Sequence, residues 1–224
     1  MLNVIYEDNQ IIVVIKPANV PTQKDSSNDV CLADMIKSYL KEKYNKPGNV
    51  YLGVVHRLDR PTSGVMVFAK TSKSAERLSL DFKNHNIEKK YLAVLSGVPK
   101  QKTGHLENYL KKDERTNTVR LAPLSEEGAK KAVLDYCVLQ SNEKYSLVEI
   151  VLETGRSHQI RVQMSANKTP VFSDFKYGIG VKNIDLALHA YKLKFTHPTT
   201  KKIMTFVVNP NFEEMPWKMF TLLN

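Results

Sequence analysis

A charged run, a turn and an apolar run follow one another at residues 56–70, with the sequence HRLDRPTSGVMVFAK. This order places several charged side chains directly before the start of a predicted strand. Asp59 is the only acid of the segment, and positive neighbours favour the charged form of a carboxylate. An ionised, fixed carboxylate can act as a nucleophile or a base. Taken by itself, however, such a cluster is more often a solvated loop or a structural ion pair than a catalytic centre.

Several common kinds of active site are not indicated. Asp59 has no second acid nearby, which argues against the paired carboxylates of glycoside hydrolases. The two cysteines, Cys31 and Cys137, are far apart, and no Cys–His cluster has the spacing of a zinc site. Glycine-rich phosphate-binding motifs and nucleophile elbows are also missing. We therefore expect neither a metal nor another cofactor.

The charge balance points to a polyanionic partner. Lys and Arg total 33 against 23 Asp and Glu, which gives a formal net charge of +10 over 224 residues. A basic protein of this size plausibly binds nucleic acid. No apolar run approaches the ~20 residues of a membrane-spanning helix, and the first residues do not resemble a secretory signal. We expect a cytoplasmic protein that does not associate with membranes.

Hydrophobic periodicity predicts an α+β fold with a large mixed, mostly antiparallel sheet flanked by helices. Predicted strands cover 3–7, 11–15, 65–68, 89–95, 133–139, 145–152, 186–196 and 202–208. Predicted helices cover 29–43, capped by Asp29, 72–86, capped by Ser72, and 158–166. The second of these helices is predicted to present Ala75, Leu78 and Phe82 on one apolar face. The polar, Lys-rich segment 99–131 contains short strand-like pieces such as 118–121, which indicates an excursion from the sheet or a mobile flap.

The HRLD run, the following Thr-Ser-Gly turn and the apolar strand together resemble the signature of the RluA-type pseudouridine synthases. In that family the Asp of HRLD is catalytic, which is Asp59 here. The Arg of the motif, Arg57, enters the space that the target base leaves when it moves out of the helix. The resemblance also implies that His56 and Arg60 contact RNA.

The segment 152–162, LETGRSHQIRV, resembles a second family motif. The resemblance implies that Arg161 forms an ion pair with the catalytic Asp and fixes its rotamer. Arg156 and His158 are assigned to support of the loop or to phosphate. Gln163 stands where the family often has a His.

Three further stretches are similar to the family. Tyr91, in the run Lys-Lys-Tyr-Leu-Ala, matches the Tyr that contacts the target base and helps to move a proton. Lys16 belongs to a strand-then-Lys-Pro element, here assigned to RNA binding, in which Asn19 replaces the usual Gly. In the stretch 169–178, Ser173 replaces a Gly, and because Ser tolerates a positive φ poorly we expect altered backbone geometry there. His189 and His197 are assigned structural roles.

The resemblance implies an RNA pseudouridine synthase with catalytic residues Asp59, Tyr91 and Arg161. The expected protein is a monomer with one catalytic domain over 1–224, a central RNA-binding cleft and no separate N-terminal S4-like domain. Its substrate would be rRNA or tRNA, and the target uridine would be flipped out of the helix. Asp59 would attack C1′ or C6 or remove the 2′ proton, and the sequence does not choose among these routes. The alternatives are a non-catalytic RNA-binding protein and a metal-dependent nuclease that uses His56 and Asp59.

Overall fold

The computed structural model describes residues 2–25, 27 and 29–221 and contains both strands and helices. The strands are β1 (Asn3–Glu7), β2 (Ile11–Lys16), β3 (Gly53–Val54), β4 (Ser63–Ala69), β5 (Glu88–Ser96), β6 (Thr103–Asp113), β7 (Thr118–Ala122), β8 (Lys130–Ser141), β9 (Tyr145–Leu152), β10 (Leu188–Thr196) and β11 (Ile203–Val207). The α-helices are α1 (Leu32–Lys43), α2 (Ser72–Lys83) and α3 (Gln159–Ala166). The α+β prediction is confirmed.

The chain folds as two compact units. The first comprises Met1–Glu88 and Ala190–Val208, and the second comprises Lys89–His189 and Asn209–Asn224. None of the described helices has the length and apolar character that crossing a membrane requires. The single domain expected over 1–224 stays a prediction.

The sheet of the first unit has the order β1-β2-β4-β10, with β3 paired to β4 and β11 paired to β10. Strand β2 runs antiparallel to β4, with Val13 opposite Val67. The first four residues of β2 are fully buried, as its unbroken apolar run predicts. Helix α2 packs on this core through Leu78, with Ala75 and Phe82 beside it. The predicted apolar face of α2 is therefore confirmed.

Both long helices of the first unit begin differently from the prediction. Helix α1 starts at Leu32 rather than near Asp29, because the amides of Leu32 and Ala33 donate to the carbonyl oxygens of Pro21 and Thr22. These backbone partners replace the predicted side-chain cap. Helix α2 is capped by Thr71, whose hydroxyl accepts from the Ser74 amide at 3.2 Å, and it ends at Lys83 rather than near residue 86.

Glu7 joins three elements of the first unit. One carboxylate oxygen accepts from Lys43 at 2.7 Å, and the other accepts from Lys70 at 2.6 Å and from the Tyr44 hydroxyl at 2.7 Å. Burial by itself raises the pKa of Glu7, but the hydrogen bonds from Lys43, Lys70 and Tyr44 lower it to about 2. Glu7 therefore fixes the end of β1 against α1 and the residue that follows β4.

The second unit has the strand order β5-β9-β8-β6-β7. Strands β8 and β9, both predicted as strands, form an antiparallel pair with Tyr136 opposite Ile150. The segment 99–131 differs from its prediction, because most of it is a regular hairpin of β6 and β7 rather than a loop with short pieces. Its alternating exposed and half-buried residues belong to a ribbon that is only partly covered. A small core of Leu110, Val119, Ala132 and Val162 joins the hairpin to α3.

Gly64 is the position in the first unit where a side chain is least tolerable. Its φ is +129°, and a Cβ there would lie 2.3 Å from the carbonyl oxygen of Ala190 and 2.5 Å from its amide nitrogen. We expect Gly64→Ala to lower the free energy of unfolding by at least about 2 kcal/mol, from backbone strain and overpacking together. Urea denaturation measures this change. Gly48→Ala is the control, because no atom lies within 4 Å of the corresponding Cβ, and equal midpoints for the two variants would contradict the argument.

The pairing of Glu7 predicts an acid-dependent loss of stability. A carboxyl whose pKa is lowered by folding stabilises the fold above its unfolded-state pKa, and that contribution is lost as the pH falls towards the folded-state value. For Glu7 this window extends from 4.5 down to about 2. We expect Glu7→Gln to be less stable than the parent at neutral pH and to lose less stability across the window. Urea midpoints measured over the acid range test this, and parallel pH profiles would refute it.

Candidate active site

The segment 56–60 lies between β3 and β4 in the first unit, and its backbone is fixed on both sides of Asp59. The hydroxyl of Thr22 donates to the Leu58 carbonyl oxygen at 2.9 Å and accepts from the Leu58 amide at 3.3 Å. The Thr62 amide donates to the carbonyl oxygen of Asp59 at 3.0 Å. Leu58 and Thr62 are buried, whereas Asp59 is half-buried. The carboxylate therefore extends from a rigid turn.

Lys16 supports this turn from within the protein. Its side chain is 0% exposed, and its ammonium donates to the carbonyl oxygens of Pro17, Val20 and Arg60 at 2.7–2.9 Å. Burial lowers the pKa of Lys16 to about 7, although the charge of Asp59 acts in the opposite direction. A buried ammonium that holds three carbonyl oxygens cannot also reach a phosphate, so the predicted RNA contact of Lys16 is not supported. Lys16 instead positions the backbone beside Asp59.

The guanidinium of Arg60 is engaged in contacts within the first unit. Its guanidinium donates to the carbonyl oxygen of Asn19 at 3.2 Å, to the Ser27 hydroxyl at 3.0 Å and to the carboxylate of Asp29. Asn19 has a φ of 64°, a left-handed conformation that Asn tolerates better than most residues. Arg60 thus connects Asn19, Ser27 and Asp29 to the HRLD turn, and its predicted contact with RNA stays a prediction.

His56 packs inside the first unit, while Arg57 is exposed. The Nε2 of His56 accepts a hydrogen bond from the Val67 amide at 3.1 Å, and the ring stacks on Phe82 with centroids 4.5 Å apart. A ring nitrogen that accepts from a backbone amide carries no proton, so the described contact is made by the neutral imidazole. These contacts give His56 a structural role in the first unit.

Tyr91 lies in β5 of the second unit, opposite Ile150 of β9. The ring is buried within the row of β5 residues that forms part of the core. Two neighbouring lysines precede it on the strand. Burial lowers the pKa of Lys89, and Lys90 pairs with Glu149 at 3.0 Å. The predicted contact of Tyr91 with the target base stays a prediction.

Arg161 lies in α3 and forms a buried ion pair with Asp174. The guanidinium is 5% exposed, and it donates from Nε and Nη2 to the two carboxylate oxygens at 2.8 and 2.7 Å. The same carboxylate also accepts from the amides of Lys176 and Tyr177. Burial by itself raises the pKa of Asp174, but the hydrogen bonds and the charge of Arg161 lower it, so the carboxylate stays ionised. The side chain of Arg161 is thereby locked in one orientation.

The turn that carries Asp174 keeps a left-handed residue where the family motif has a Gly. Ser173 has a φ of 59°, so it adopts the positive φ that a Gly would allow. The expectation of an altered backbone geometry is therefore wrong. Its hydroxyl donates to the Ile184 carbonyl oxygen at 2.7 Å and accepts from the Val181 amide at 3.2 Å. These bonds hold the strained residue in place.

The loop before α3 is organised by Gln159. Its amide oxygen accepts from the Thr154 hydroxyl at 2.7 Å and from the Arg156 amide at 3.0 Å. The exposed side chain of Arg156 donates to the Lys131 carbonyl oxygen at 2.8 Å. His158 has a φ of 52° and hydrogen-bonds through Nδ1 to the Tyr177 hydroxyl at 2.6 Å. Arg156 and His158 therefore support this loop, as one of the two roles assigned to them requires.

The described contacts join the predicted residues into two groups. The first unit connects Lys16, Arg60 and the turn that carries Asp59, and the second connects Arg156, His158 and the helix that carries Arg161. Four supporting residues were missed by sequence reasoning, namely Thr22, Gln159, Asp174 and Tyr177. Asp174 had a usable signal, because an Asp among Phe and Tyr residues in a mainly apolar stretch requires a cationic partner once it is buried.

Within the described part of the chain, no group of three or more His, Cys, Asp or Glu side chains is arranged to hold a metal ion.

His197, one of the remaining histidines, has partners that give it a structural role. Its Nε2 contacts Asp8 at 2.8 Å, and its Nδ1 accepts from the amides of Thr199 and Thr200. It therefore fixes the turn between β10 and β11.

Comparison with known proteins identifies the class. The profile of the RNA pseudouridylate synthase family matches residues 10–166. The ribosomal large subunit pseudouridine synthase D of Zymomonas mobilis is 32% identical, and the alignment covers 100% of this chain and 74% of that protein. The protein of the same name from Borreliella burgdorferi is 30% identical and is aligned over 92% of this chain and 68% of its own length. The solved structure of human RNA pseudouridylate synthase domain containing 4 has a TM-score of 0.78 at 25% identity, with 94% of this chain and 89% of that chain covered.

These matches define an RNA-modifying isomerase. The matched residues include the HRLD run, Tyr91 and Arg161, and the profile spans most of the chain. The chain belongs to the RNA pseudouridylate synthase family, and the predicted activity, isomerisation of uridine to pseudouridine in RNA, is confirmed at this level.

The ion pair of Arg161 with Asp174 predicts a large effect of a small substitution. Asp174→Asn keeps the shape of the side chain but removes the charge that faces a buried guanidinium. We expect the free energy of unfolding to fall by about 3–5 kcal/mol, the usual result of breaking a buried pair. Urea denaturation at neutral pH measures the change. Glu114→Gln, which alters the ion pair of the exposed Glu114 with Lys112, is the matched control and should have little effect. A similar loss in both variants would contradict the assignment.

Proposed function

We propose that this enzyme forms pseudouridine in ribosomal RNA of the large subunit, with Asp59 as the catalytic carboxylate. The observation that carries the assignment is the rigid turn at Asp59, which hydrogen bonds from Thr22 and Thr62 fix on both sides. Catalytic groups are effective when the surrounding structure holds them in place. The substrate class rests on the two relatives that are named ribosomal large subunit pseudouridine synthases.

The reaction rearranges bonds without a net change in composition. The bond between N1 of uracil and C1′ of the ribose breaks, the base rotates, and a bond between C5 and C1′ forms. The proton on C5 leaves to solvent, and N1 gains one. No electron donor or acceptor is needed, because the base and the sugar keep their combined oxidation state.

Asp59 has a part in each route by which the first bond can break. Its carboxylate can attack C1′, add to C6 of the base, or remove the 2′ proton to give a glycal. Each route needs an ionised carboxylate at a fixed position. Lys16 donates to the Arg60 carbonyl oxygen on the interior side of the same turn, and it adds positive charge there below its lowered pKa of about 7.

Tyr91 and Arg161 are assigned by the family motifs that contain them. A phenol can relay a proton, which is what removal of the C5 proton requires. Arg161 orients Asp59 through an ion pair in this assignment. Its bidentate contact with Asp174 supports the role, because a guanidinium whose rotamer is fixed can in turn fix a partner.

Access to the uracil requires base flipping. A base stacked in a helix cannot be reached by a carboxylate, and extrusion costs a few kcal/mol. The exposed side chain of Arg57, two residues from Asp59, is suited to fill the space that the base leaves. Cations on the β6–β7 hairpin can bind phosphates and offset the remaining cost. They are Lys111, Lys112, Arg115 and Arg120.

Asp59→Asn tests the assignment. The amide has nearly the same size but is a poor nucleophile and base, so we expect turnover to be lost while RNA affinity stays within a few-fold. The measurement is release of tritium from ribosomal RNA labelled at C5 of uridine. Asp81→Asn, on the surface of α2, provides a matched control that should keep full activity.

The same assay separates this proposal from its alternatives. A synthase releases tritium with or without EDTA, whereas a metal-dependent nuclease cleaves the RNA and stops in EDTA. A non-catalytic RNA-binding protein releases none. Full activity of Asp59→Asn would overturn the assignment of the carboxylate.

A further inference from the structure

We propose that Phe175 is a stacking platform for an unpaired base of the RNA beside the target uridine. The proposal rests on the proposed function, since it assigns a contact for the same substrate. Phe175 is 74% exposed, although its neighbour Asp174 is 0% exposed. A Phe displayed so far into solvent buries little of its own surface and offers an open ring face to a ligand.

The ring of Phe175 is held by its own loop. A Cβ at Gly180 would lie 2.3–2.5 Å from three atoms of the ring, so only a glycine allows the ring to cover the backbone there. The amides of Lys176 and Tyr177 donate to the Asp174 carboxylate, which fixes the backbone that precedes and follows Phe175. The aromatic side chain is therefore exposed and also supported, which reduces the entropy that binding would cost.

The same loop is attached to the basic β6–β7 hairpin. The ammonium of Lys176 donates to the Asn117 carbonyl oxygen at 2.8 Å, and the Tyr177 hydroxyl accepts from the Val119 amide at 2.8 Å. Arg115 lies in the turn of this hairpin. Cations beside an exposed aromatic ring are the usual composition of a surface that binds single-stranded nucleic acid. This local charge favours RNA over an apolar protein partner.

The position of Phe175 in the chain relates it to the proposed catalytic groups. Asp174 binds the guanidinium of Arg161 directly, and the Cα atom of the next residue lies ~3.8 Å further along the chain. The loop therefore directs one side chain inward to hold Arg161 and the next outward. Because the proposed function assigns Arg161 to the target uridine, a base stacked on Phe175 would belong to the same RNA substrate, and this contact would help to select unpaired RNA.

Binding of a fluorescein-labelled, single-stranded oligouridylate tests the platform, with an abasic strand of equal length as the matched probe. We expect Phe175→Ala to weaken binding of the oligouridylate by about 5- to 150-fold, the equivalent of ~1–3 kcal/mol for one stacked base. Binding of the abasic strand should not change, because it has phosphates but no bases. Phe175→Trp should bind at least as tightly as the parent, and the introduced indole should be quenched by the oligouridylate.

Two further variants separate stacking from simple apolar contact and from structural damage. Phe175→Leu keeps apolar bulk without a ring face and should bind as weakly as Phe175→Ala. Ile179→Ala, at a neighbouring position that is 83% exposed, should leave affinity within two-fold. The urea midpoint and the dependence of affinity on salt should be unchanged in Phe175→Ala, because neither the fold nor a phosphate contact is altered.

Binding of Phe175→Ala within two-fold of the parent would overturn the platform, as would full binding by Phe175→Leu or equal losses on both probes. These outcomes are independent of the proposed catalytic role of Asp59, which is tested by tritium release alone. If Phe175→Ala binds normally while Asp59→Asn is inactive, the platform is excluded and the proposed function still stands. Conversely, if Asp59→Asn were active, the proposed catalytic role would fail, but the effect of Phe175→Ala on oligouridylate binding would remain a valid test of the platform.

Discussion

The buried ion pair between Arg161 and Asp174 is the constraint on which the second unit depends. A guanidinium at 5% exposure is costly unless its charge is matched and its N–H groups are bonded, and Asp174 does both. The carboxylate in turn needs further donors, which the amides of Lys176 and Tyr177 supply. One charge on α3 thus determines the path of residues 173–178, and that path brings Tyr177 against His158 and the β6–β7 hairpin.

In the first unit, the charged turn at residues 56–60 is fixed by hydrogen bonds to its backbone rather than by a buried ion pair. Lys16 places its ammonium among three carbonyl oxygens, and Thr22 bonds both backbone groups of Leu58. The turn at Asp59 is therefore held through its backbone on both sides of the residue. Such positioning has little value for stability alone, since burying an ammonium is costly, but it restricts the range of motion of the residue that we propose as the catalytic carboxylate.

Elements whose residues satisfy one simple pattern could be predicted from the sequence, and those that depend on distant partners could not. The apolar run of β2 and the periodic face of α2 required only burial on a sheet. The start of α1 was missed because its first amides bond to the backbone of Pro21 and Thr22, which has no sequence signature. The piece at 118–121 was predicted as strand-like and is β7, but β6 was missed because a partly covered ribbon carries polar residues at most positions. Lys16 was assigned to RNA binding because the sequence does not reveal that its side chain is buried. That burial follows from tertiary structure.

Two residues of this chain show how a left-handed backbone can be held by a residue other than glycine. Asn19 and Ser173 stand where the family commonly has Gly, yet both adopt left-handed φ values of 64° and 59°. Such conformations cost of order 1–2 kcal/mol for a residue with a Cβ. The Ser173 hydroxyl offsets this cost through bonds to Val181 and Ile184, and Asn is among the residues most tolerant of the region. The backbone that carries Asp174 is therefore selected by its hydrogen bonds, and glycine is only one of the residues that permit it.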